Sequence, residues 1–470
     1  MSHPRFITHT AGVYDPTSPT LSSPAPTPSA GGGCGGPSPS VGQDLAVVII
    51  GAGPIGLSAA ANLISRGHTP LLLEAGPRVA ASIHDWGHVR LFTPWSYLVD
   101  PVSRALLQAR TDWEHPDADT VPLGRELVAD YLDHVAALDE LKDRILLQHR
   151  VVSVSRVGHD LMKDGSRAKA PFLIVADTPD GRRRIQAAAV IDASGTWTTP
   201  NPMGSGGVAA DGEARHGQHI RYGMPDVLDR ERGRYEGKRV LVVGSGHSAI
   251  GTVLALAELA ESAPDTQLAW AVRGTNPNRL WGGGAADEVA ERGALGLRVH
   301  DAVHSGKVAL LTGFAILAVR AHAEGLEVVD VSGRGRLVVD EVVVATGSRP
   351  DHQMLRELRL HIDTTTESAG TLGPLIDPNH HSCGSVPPHG AVELAHPERD
   401  FYIIGMKSYG RAPTFLLRTG YEQARSVVAE LTGDRVSARR VDLVLPQTGV
   451  CNADYGQTST STSTSTSGCC

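Results

Sequence analysis

The chain has 470 residues, 41% of them hydrophobic, and a formal net charge of −8 at pH 7. This length and apolar content allow two hydrophobic cores, so we expect two domains with tails. The acidic balance, without a long run of Lys and Arg, excludes a specialised nucleic-acid partner. The apolar runs are strand-sized, far short of the roughly 20 residues of a membrane span. With only five cysteines and no apolar leader, the sequence predicts a soluble protein of the reduced cytoplasm.

The N-terminal segment, residues 1–44, is rich in Pro, Ser, Thr and Gly, and it carries Cys34 within a run of glycines. Such a composition buries too little apolar surface to offset the entropy of ordering. We therefore predict a disordered tail, in which Cys34 has no particular role.

A glycine motif of the GxGxxG type follows a predicted strand at residues 47–50 and precedes a predicted helix at residues 57–66. A second strand, residues 69–74, ends in Glu74, which is suited to binding an adenosine ribose. The glycines allow a tight turn and a close approach of a pyrophosphate to the helix start. A structural βαβ unit without a ligand is the alternative. The predicted cofactor residues here are Gly51, Gly53, Pro54, Ile55, Gly56, Glu74 and Ala75.

Residues 82–97 contain two of the six tryptophans and lack helical periodicity. Loops that follow the carboxyl ends of parallel strands are where ligands bind. Trp86, Arg90 and Trp95 are therefore candidate substrate residues facing a flavin ring. The alternative is an aromatic cluster that fastens a long loop to the core.

The next elements complete a first domain. Residues 126–141 have helical periodicity, and residues 145–154, 171–176 and 184–189 predict a strand followed by a hairpin. Residues 190–195 predict a buried strand that ends in glycine. Ala193 and Gly195, at its end, are predicted to contact the cofactor. A similar ending recurs at residues 342–350, which include Gly347, so the two halves are related and the second interrupts the first.

The second glycine motif lies between a predicted strand at residues 238–243 and a helix that extends to about Glu261. The strand that follows, residues 267–273, ends in Arg273 where the first unit has Glu74. An acid favours a free 2′-hydroxyl, whereas a cation accommodates a 2′-phosphate, which predicts FAD in the first unit and NADPH in the second. Arg273 as a solvated strand-end charge is the alternative. The predicted cofactor residues are Gly244, Ser245, Gly246, His247, Ser248 and Arg273.

The C-terminal portion, from about residue 335, is expected to rejoin the first domain, because the strand at residues 401–405 has no local partner. It ends at Gly405, a further cofactor candidate. Residues 413–431 predict a helix whose free N–H groups are suited to the flavin pyrimidine edge. Lys407, Tyr409 and Arg411 precede this helix and are substrate candidates. Arg90 and Arg411 suit an anionic substrate, or alternatively form structural ion pairs.

Together these features resemble the two-dinucleotide-binding-domain flavoproteins, which include the disulfide reductases and the class B flavin monooxygenases. The chain has no CxxC or CxxxxC motif, and Gly405 is followed by Met406 where the reductases carry Gly-Asp. Residues 193–202 and 235–244 resemble phrases of the monooxygenase branch. Its FxGxxxH motif is present only in part, as Gly212 and His216, with Ala210 in place of Phe.

A closer resemblance is to actinobacterial flavoproteins encoded beside arsenic-resistance genes. It is carried by residues 85–90, 382–384 and 387–390 and by the cysteine-bearing tail. This resemblance implies a metalloid-related role.

The tail, residues 446–470, consists of Cys451, a Ser/Thr repeat and the terminal pair Cys469 and Cys470. It resembles the mobile cysteine tails of mercuric reductase and of some thioredoxin reductases. Such a tail is suited to delivering a soft metal or metalloid, or to carrying electrons away from the flavin. Low-complexity sequence that ends in cysteine by chance is the alternative.

The sequence thus predicts an α/β protein with a three-layer FAD domain at residues 45–215 and 335–445 and an inserted NADPH domain at residues 216–334. The expected chemistry is hydride transfer from NADPH to FAD, then oxygen activation at the flavin C4a position with a small-molecule substrate. A thiol or metalloid reductase and a noncatalytic flavin-binding protein are the alternatives. Because the flavin carries the bond-making, no catalytic triad and no metal cluster are expected, the catalytic residues are not assigned, and homodimerisation stays open.

Overall fold

The computed structural model describes residues 45–282, 290–381, 389–413 and 415–443. The predicted tails at residues 1–44 and 446–470 lie outside the described residues, and so do all five cysteines. The predictions made for Cys34, Cys383, Cys451, Cys469 and Cys470 therefore remain predictions.

The described residues form strands and helices in the order expected for two βαβ units. The strands are β1 Val47–Ile50, β2 Pro70–Leu73, β3 Ile145–Leu146, β4 Arg150–Arg156, β5 Phe172–Thr178, β6 Gly181–Ala187, β7 Ala189–Asp192, β8 Ile220–Tyr222, β9 Arg239–Val243, β10 Gln267–Ala271, β11 Ala309–Leu311, β12 Ile316–His322, β13 Gly325–Asp330, β14 Arg336–Val339, β15 Glu341–Val344 and β16 Phe401–Ile403. The helices are α1 Pro54–Ser65, α2 Ala81–Asp85, α3 Trp95–Leu98, α4 Pro101–Arg110, α5 Gly124–Leu127, α6 Asp133–Ala136, α7 Arg232–Tyr235, α8 His247–Ser262, α9 Ala290–His304, α10 Gly373–Ile376, α11 Leu417–Leu431 and α12 Arg435–Arg439.

The first module is built on a parallel sheet with the strand order β16-β7-β1-β2-β3. Its strands are apolar on both faces because both faces are covered. Ile49 packs in a cluster with α1, α4 and α11, whereas Val48 and Ile50 point the other way, toward the antiparallel sheet β4-β5-β6. This helix–sheet–sheet arrangement confirms the predicted three-layer architecture.

The second module repeats this plan. Its parallel sheet has the order β8-β15-β9-β10-β11, and β12-β13-β14 form a second antiparallel sheet. Val240 and Val242 pack against α8, while Leu241 and Val243 pack against the antiparallel sheet. Strand by strand, β15 and β9 correspond to β7 and β1, so the predicted relation between the two halves is confirmed.

The return of the chain to the first module lies later than predicted. Strands β14 and β15 fall within the predicted FAD segment that begins at residue 335, yet they pair with β13 and β9 of the second module. The second module also begins earlier than residue 216, because Met203 and Ala210 pack in its core and Asp211 forms a bridge with Ala318. The predicted boundaries need this correction because the pairing partners are distant in sequence.

Three predicted elements also differ in detail. The strand expected at residues 145–154 is divided into β3 and β4, which belong to different sheets, and Gln148 between them has a positive φ of 56°. The helix expected at residues 126–141 is shorter and contains a π-helical turn, Val128–Leu132. The helix expected at residues 413–431 begins at Leu417.

Two connecting segments join the modules and bond to each other. The outgoing segment follows β7, the returning segment follows β15, and Pro200 forms an antiparallel bridge with Ser348. The Asn201 side chain donates to the Thr346 carbonyl oxygen at 3.1 Å, and the Thr346 hydroxyl donates to the Asn201 carbonyl oxygen at 2.8 Å. The modules are thus linked by a short two-stranded ribbon. None of the helices in the described part of the chain is both long and apolar enough to cross a membrane.

Candidate functional site

The first glycine loop, residues 51–56, connects β1 to α1. Gly51 has a φ of +100°, and a Cβ atom there would lie 2.8 Å from the Ala193 carbonyl oxygen. A Cβ atom on Gly56 would lie 2.0 Å from the Gly51 carbonyl oxygen. A Cβ atom on Gly53, in contrast, would have no heavy atom within 4 Å. Gly51 and Gly56 are therefore required by packing, whereas Gly53 faces open space at the start of the helix.

The start of α1 is open to an anion. Gly53 is its N-cap, no side chain caps it, Pro54 occupies the first turn, and that turn contains no acidic residue. The N–H groups of a helix start carry partial positive charge and bind phosphate when no side chain occupies them. The open space beside Gly53 and the uncapped helix start together fit the pyrophosphate of a dinucleotide.

Glu74 follows β2 and lies beside this loop. Its Oε2 atom accepts a hydrogen bond from the Ala52 N–H at 2.8 Å, and its Oε1 atom accepts one from the Gly76 N–H at 2.7 Å. Each carboxylate oxygen has a further lone pair for a ribose hydroxyl. The predicted ribose-binding carboxylate is thus held in place by the backbone on both sides, and Ala75 follows it directly.

The carboxyl end of the first sheet carries a buried ion pair that the sequence analysis missed. The Lys407 Nζ atom donates to Asp192 Oδ2 at 2.7 Å and to Ser194 Oγ at 3.2 Å. The side chains of Lys407 and Asp192 are 2% and 0% exposed. The sequence signal was an acid that ends the apolar strand β7, directly before the cofactor candidates Ala193 and Gly195.

The start of α11 approaches the start of α1. A Cβ atom on Gly420 would lie 2.5 Å from Ile55 Cδ1, and one on Gly405, whose φ is +73°, would lie 3.2 Å from Ile55 Cγ1. Helix α11 has Leu416 as its N-cap, without a side-chain hydrogen bond to its first turn. The structure therefore brings together the cofactor candidates Ile55 and Gly405 and the free helix start that was expected at the flavin pyrimidine edge.

The second glycine loop, residues 244–249, has the same division of roles. Gly244 has a φ of +131°, and a Cβ atom there would lie 2.2 Å from the Ala345 carbonyl oxygen, whereas Gly246 faces open space. Gly246 is the N-cap of α8, and no side chain caps the helix and no acid lies in its first turn. His247 and Ser248 are the first residues of that helix. The loop fits a second dinucleotide pyrophosphate.

Arg273 lies two residues beyond β10, on the same side of the second sheet as this loop. It is exposed, and its Nη1 atom donates to the Ser205 carbonyl oxygen at 2.9 Å. Because this bond uses a single N–H group, most of the guanidinium donors remain for a phosphate. Gly347 follows β15 in the ribbon between the modules, with a φ of +80°.

The six substrate candidates fall into two groups. Trp95 and Tyr409 are core residues with 4% and 1% exposure, and Trp86 packs against Gly124, where a Cβ atom would lie 2.8 Å from its ring. The three cations are all engaged: Lys407 with Asp192, Arg411 with Glu367 at 2.8 Å, and Arg90 with the Val121 carbonyl oxygen at 2.7 Å. The structure thus favours the ion-pair alternative for Arg411 over a cation reserved for an anionic substrate.

Two histidines, His352 and the buried His389, lie near Lys407 and Tyr409. Burial lowers the pKa of His389 to about 4, and its Nδ1 atom lies 3.4 Å from the Tyr409 hydroxyl oxygen. Burial also lowers the pKa of His352, which is further depressed by the charge of Lys407. Both rings are therefore neutral at pH 7. Within the described ranges, no group of three or more His, Cys, Asp or Glu side chains is placed to hold a metal ion.

A cavity of about 500 Å³ lies between α1, α4 and α11. It is lined by Asn62 and Arg66 at the C-terminal end of α1, and by Asp100 and Arg418. The glycine loop lies at the opposite end of α1, so this cavity is not part of the candidate dinucleotide site.

The chain is similar in sequence to known proteins. Residues 48–379 match the sequence profile of a family described as pyridine nucleotide-disulphide oxidoreductase. Ferredoxin–NADP reductase 1 of Cupriavidus necator is 27% identical over 344 residues, which cover 70% of this chain and 79% of that protein.

Two solved structures of low sequence identity share the fold. The bacillithiol disulfide reductase of Bacillus cereus is 19% identical with a TM-score of 0.59, and the match covers 83% of this chain and 99% of that chain. The FAD-bound cadaverine monooxygenase of the desferrioxamine pathway of Erwinia amylovora is 15% identical with a TM-score of 0.57, covering 88% of this chain and 100% of that chain.

Proposed function

The chain belongs to the pyridine nucleotide-disulphide oxidoreductase family, and within this family we propose that it is an NADPH-dependent flavin monooxygenase acting on a small molecule. It is an oxidoreductase that uses FAD and NADPH. The two uncapped helix starts, each beside an open glycine, support one dinucleotide in each module. FAD, when bound, supplies the two-electron chemistry that amino-acid side chains lack.

The residues of the first module orient FAD. The first glycine loop and α1 bind the pyrophosphate, and Glu74 accepts hydrogen bonds from the adenosine ribose. The start of α11, where Gly420 packs against Ile55, places unpaired N–H groups beside the same end of α1. These groups favour negative charge on a bound ring system.

The buried pair of Lys407 and Asp192 positions the segment that carries Gly405. Because both side chains are almost fully buried, removing either one leaves an uncompensated charge in the core, which costs about 3–5 kcal/mol. The pair therefore fixes the segment at residues 405–409 against the end of β7. We assign Lys407 this positioning role instead of the substrate contact expected from the sequence.

The second module presents NADPH. The second glycine loop and α8 bind its pyrophosphate, and Arg273 faces the 2′-phosphate. Glu74 and Arg273 occupy equivalent strand ends in two modules of the same strand order. The negative charge of Glu74 supports FAD in the first module, and the positive charge of Arg273 supports NADPH in the second.

The observation that carries the choice of reaction is the cysteine distribution. Between residues 45 and 443, Cys383 is the only cysteine in the sequence. A single cysteine does not form an internal redox disulfide, so neither module holds the thiol pair through which disulfide reductases pass electrons. Dioxygen is then the acceptor that needs no further protein group. The E. amylovora structure, which shares this fold and is named as a cadaverine monooxygenase, supports the proposal.

A reductase is the second candidate, and one comparison favours it. The C. necator relative is a ferredoxin–NADP reductase, which is named for electron transfer to a protein and not to oxygen. A reductase of thiols or metalloids would instead use Cys469 and Cys470, as the resemblance to cysteine-tailed reductases suggests.

The substrate class follows from the resemblance to flavoproteins of arsenic-resistance loci. We take small trivalent arsenicals as the first substrates to test, with the enzyme acting in the cytoplasm. A homodimer belongs to the same proposal and is tested by light scattering of the purified holoprotein.

The experiment that tests the reaction replaces both terminal cysteines, Cys469→Ser with Cys470→Ser. For a monooxygenase, the double variant retains substrate-dependent NADPH oxidation at the parental rate, because electrons leave through oxygen. Loss of turnover in the double variant, together with substrate-dependent NADPH oxidation by the parent under anaerobic conditions, would establish the reductase instead.

A further inference from the structure

The bridging loop, residues 85–92, belongs to the first module but contacts the second. It is half of the segment at residues 82–97 whose aromatic residues were candidates for the flavin site. None of its side chains is assigned to dinucleotide binding in the proposed function. Its contacts indicate a different role.

The base of the bridging loop is fixed by backbone pairing within the first module. The Gly124 N–H donates to the Val89 carbonyl oxygen, and the Leu91 N–H donates to the Pro122 carbonyl oxygen, each at 2.9 Å. Arg90 forms an antiparallel bridge with Leu123. The side chain of Phe92, which follows directly, is therefore carried on a rigid base.

One end of the loop is tied to the ribbon between the modules. The Trp197 Nε1–H donates to Asp85 Oδ2 at 2.9 Å. On the other side of this indole lies Gly223, where a Cβ atom would be 3.1 Å from Trp197. Gly223 follows β8 and is bonded through its N–H to the Val344 carbonyl oxygen at 3.0 Å. Trp197 thus lies between Asp85 of the first module and Gly223 of the second.

The other end of the loop lies against the second glycine loop. The centroids of the Phe92 and His247 rings are 5.2 Å apart, with planes tilted by 40°. This distance is within the range of favourable aromatic contacts. His247 is the first residue of α8, so Phe92 packs on a side chain at the start of the helix whose N–H groups would bind the coenzyme pyrophosphate.

We propose that Phe92 gates the coenzyme site. In this proposal, a dinucleotide that enters the open space beside Gly246 displaces the Phe92 ring from His247, and the hydrogen bond from Trp197 to Asp85 holds the loop in the gating position. The proposal rests on the proposed function, because it takes the second glycine loop as the NADPH site.

The thermodynamic consequence can be measured. If coenzyme binding breaks the contact between Phe92 and His247, a variant without that contact binds the coenzyme more tightly. An aromatic contact of this kind predicts a gain of about three- to tenfold in affinity. A residue with only a structural role gives the opposite result, because its loss loosens the site.

The test is a titration of the full-length FAD-bound protein with NADP⁺, in which isothermal titration calorimetry measures Kd. Phe92→Ala and Phe92→Leu are expected to lower Kd by about three- to tenfold. Trp197→Phe removes the indole donor but keeps an aromatic ring, and it is expected to shift Kd in the same direction. Tyr97→Ala is the matched control, since Tyr97 is a half-buried aromatic residue of the first module whose ring faces Arg418.

One result would overturn the gate, and a different result would overturn the position of the coenzyme site. An unchanged or higher Kd in both Phe92 variants, with Tyr97→Ala at the parental value, would rule out the gate. Gly246→Ala distinguishes the underlying assignment, because its Cβ atom meets no protein atom and acts only on a bound ligand. If Gly246→Ala binds NADP⁺ as the parent does, the coenzyme site itself is misplaced.

Discussion

Glu74 and Arg273 show how far single residues could be interpreted from the sequence. Their positions at equivalent strand ends follow from the spacing after each glycine motif, and the structure places both there. Their contacts could not be predicted. Glu74 is held by backbone N–H groups of the neighbouring loop, whereas Arg273 donates to Ser205, which lies 68 positions away in the chain. Only the folded chain brings such distant groups together.

Coenzyme preference is the measurement that tests Arg273. We expect Arg273→Ala to raise the Kd for NADPH roughly tenfold and to leave that for NADH unchanged, because only NADPH carries the 2′-phosphate. Arg334→Ala, at an exposed turn of the second module, is the matched control. An unchanged ratio of the two Kd values in Arg273→Ala would place the 2′-phosphate elsewhere.

His389 makes stability depend on pH. Its folded-state pKa of about 4 lies below its ordinary value of 6.5, so the unfolded chain binds the extra proton between these values. Stability is therefore lost as pH falls through this window, by about 2 kcal/mol between pH 7 and pH 5. Burial raises the pKa of Asp100 to about 6, which acts in the opposite direction.

The contribution of His389 is isolated by comparison with His389→Leu, since Asp100 is present in both proteins. In urea titrations at pH 5 and pH 7, we expect the variant to lose about 2 kcal/mol less than the parent on acidification. An equal loss in both proteins would mean that His389 is protonated in the folded state.

At the scale of elements, the two glycine loops were predictable and the module boundaries were not. The order of strand, glycines, helix and strand is local, and both units form as expected. The assignment of β14 and β15 to the second module depends on pairing with β13 and β9, and β9 lies about 100 residues earlier. The role of the bridging loop depends similarly on Trp197, which lies 112 positions from Asp85. Periodicity along the chain carries no information about such partners.

The first glycine loop offers a matched pair of substitutions that separates binding from folding. A Cβ atom at Gly53 has no heavy atom within 4 Å, so Gly53→Val is expected to fold with the urea midpoint of the parental apoprotein but to lose FAD. Gly56→Val is expected to fail to fold, because its Cβ atom would lie 2.0 Å from a carbonyl oxygen. Flavin absorbance after gel filtration is the measurement, and FAD retained by Gly53→Val would contradict the assignment of this loop.

At the scale of the whole molecule, the proposed function implies a path for electrons from one module to the other. Two modules with the same strand order are joined by a bonded ribbon, and Phe92 of the first module packs on His247 at the start of α8 in the second. In the proposed function, hydride enters from NADPH in the second module and is accepted by FAD in the first. Since no cysteine pair lies within residues 45–443, the path ends at an acceptor from solution.

The most direct test of this account is the balance of NADPH, O₂ and H₂O₂ during turnover of the full-length holoprotein with a trivalent arsenical. We expect NADPH and O₂ to be consumed in equal amounts, with an oxygenated product formed and little H₂O₂ released. NADPH oxidation that proceeds with the same substrate in the absence of oxygen, and that yields a reduced product, would contradict the monooxygenase assignment.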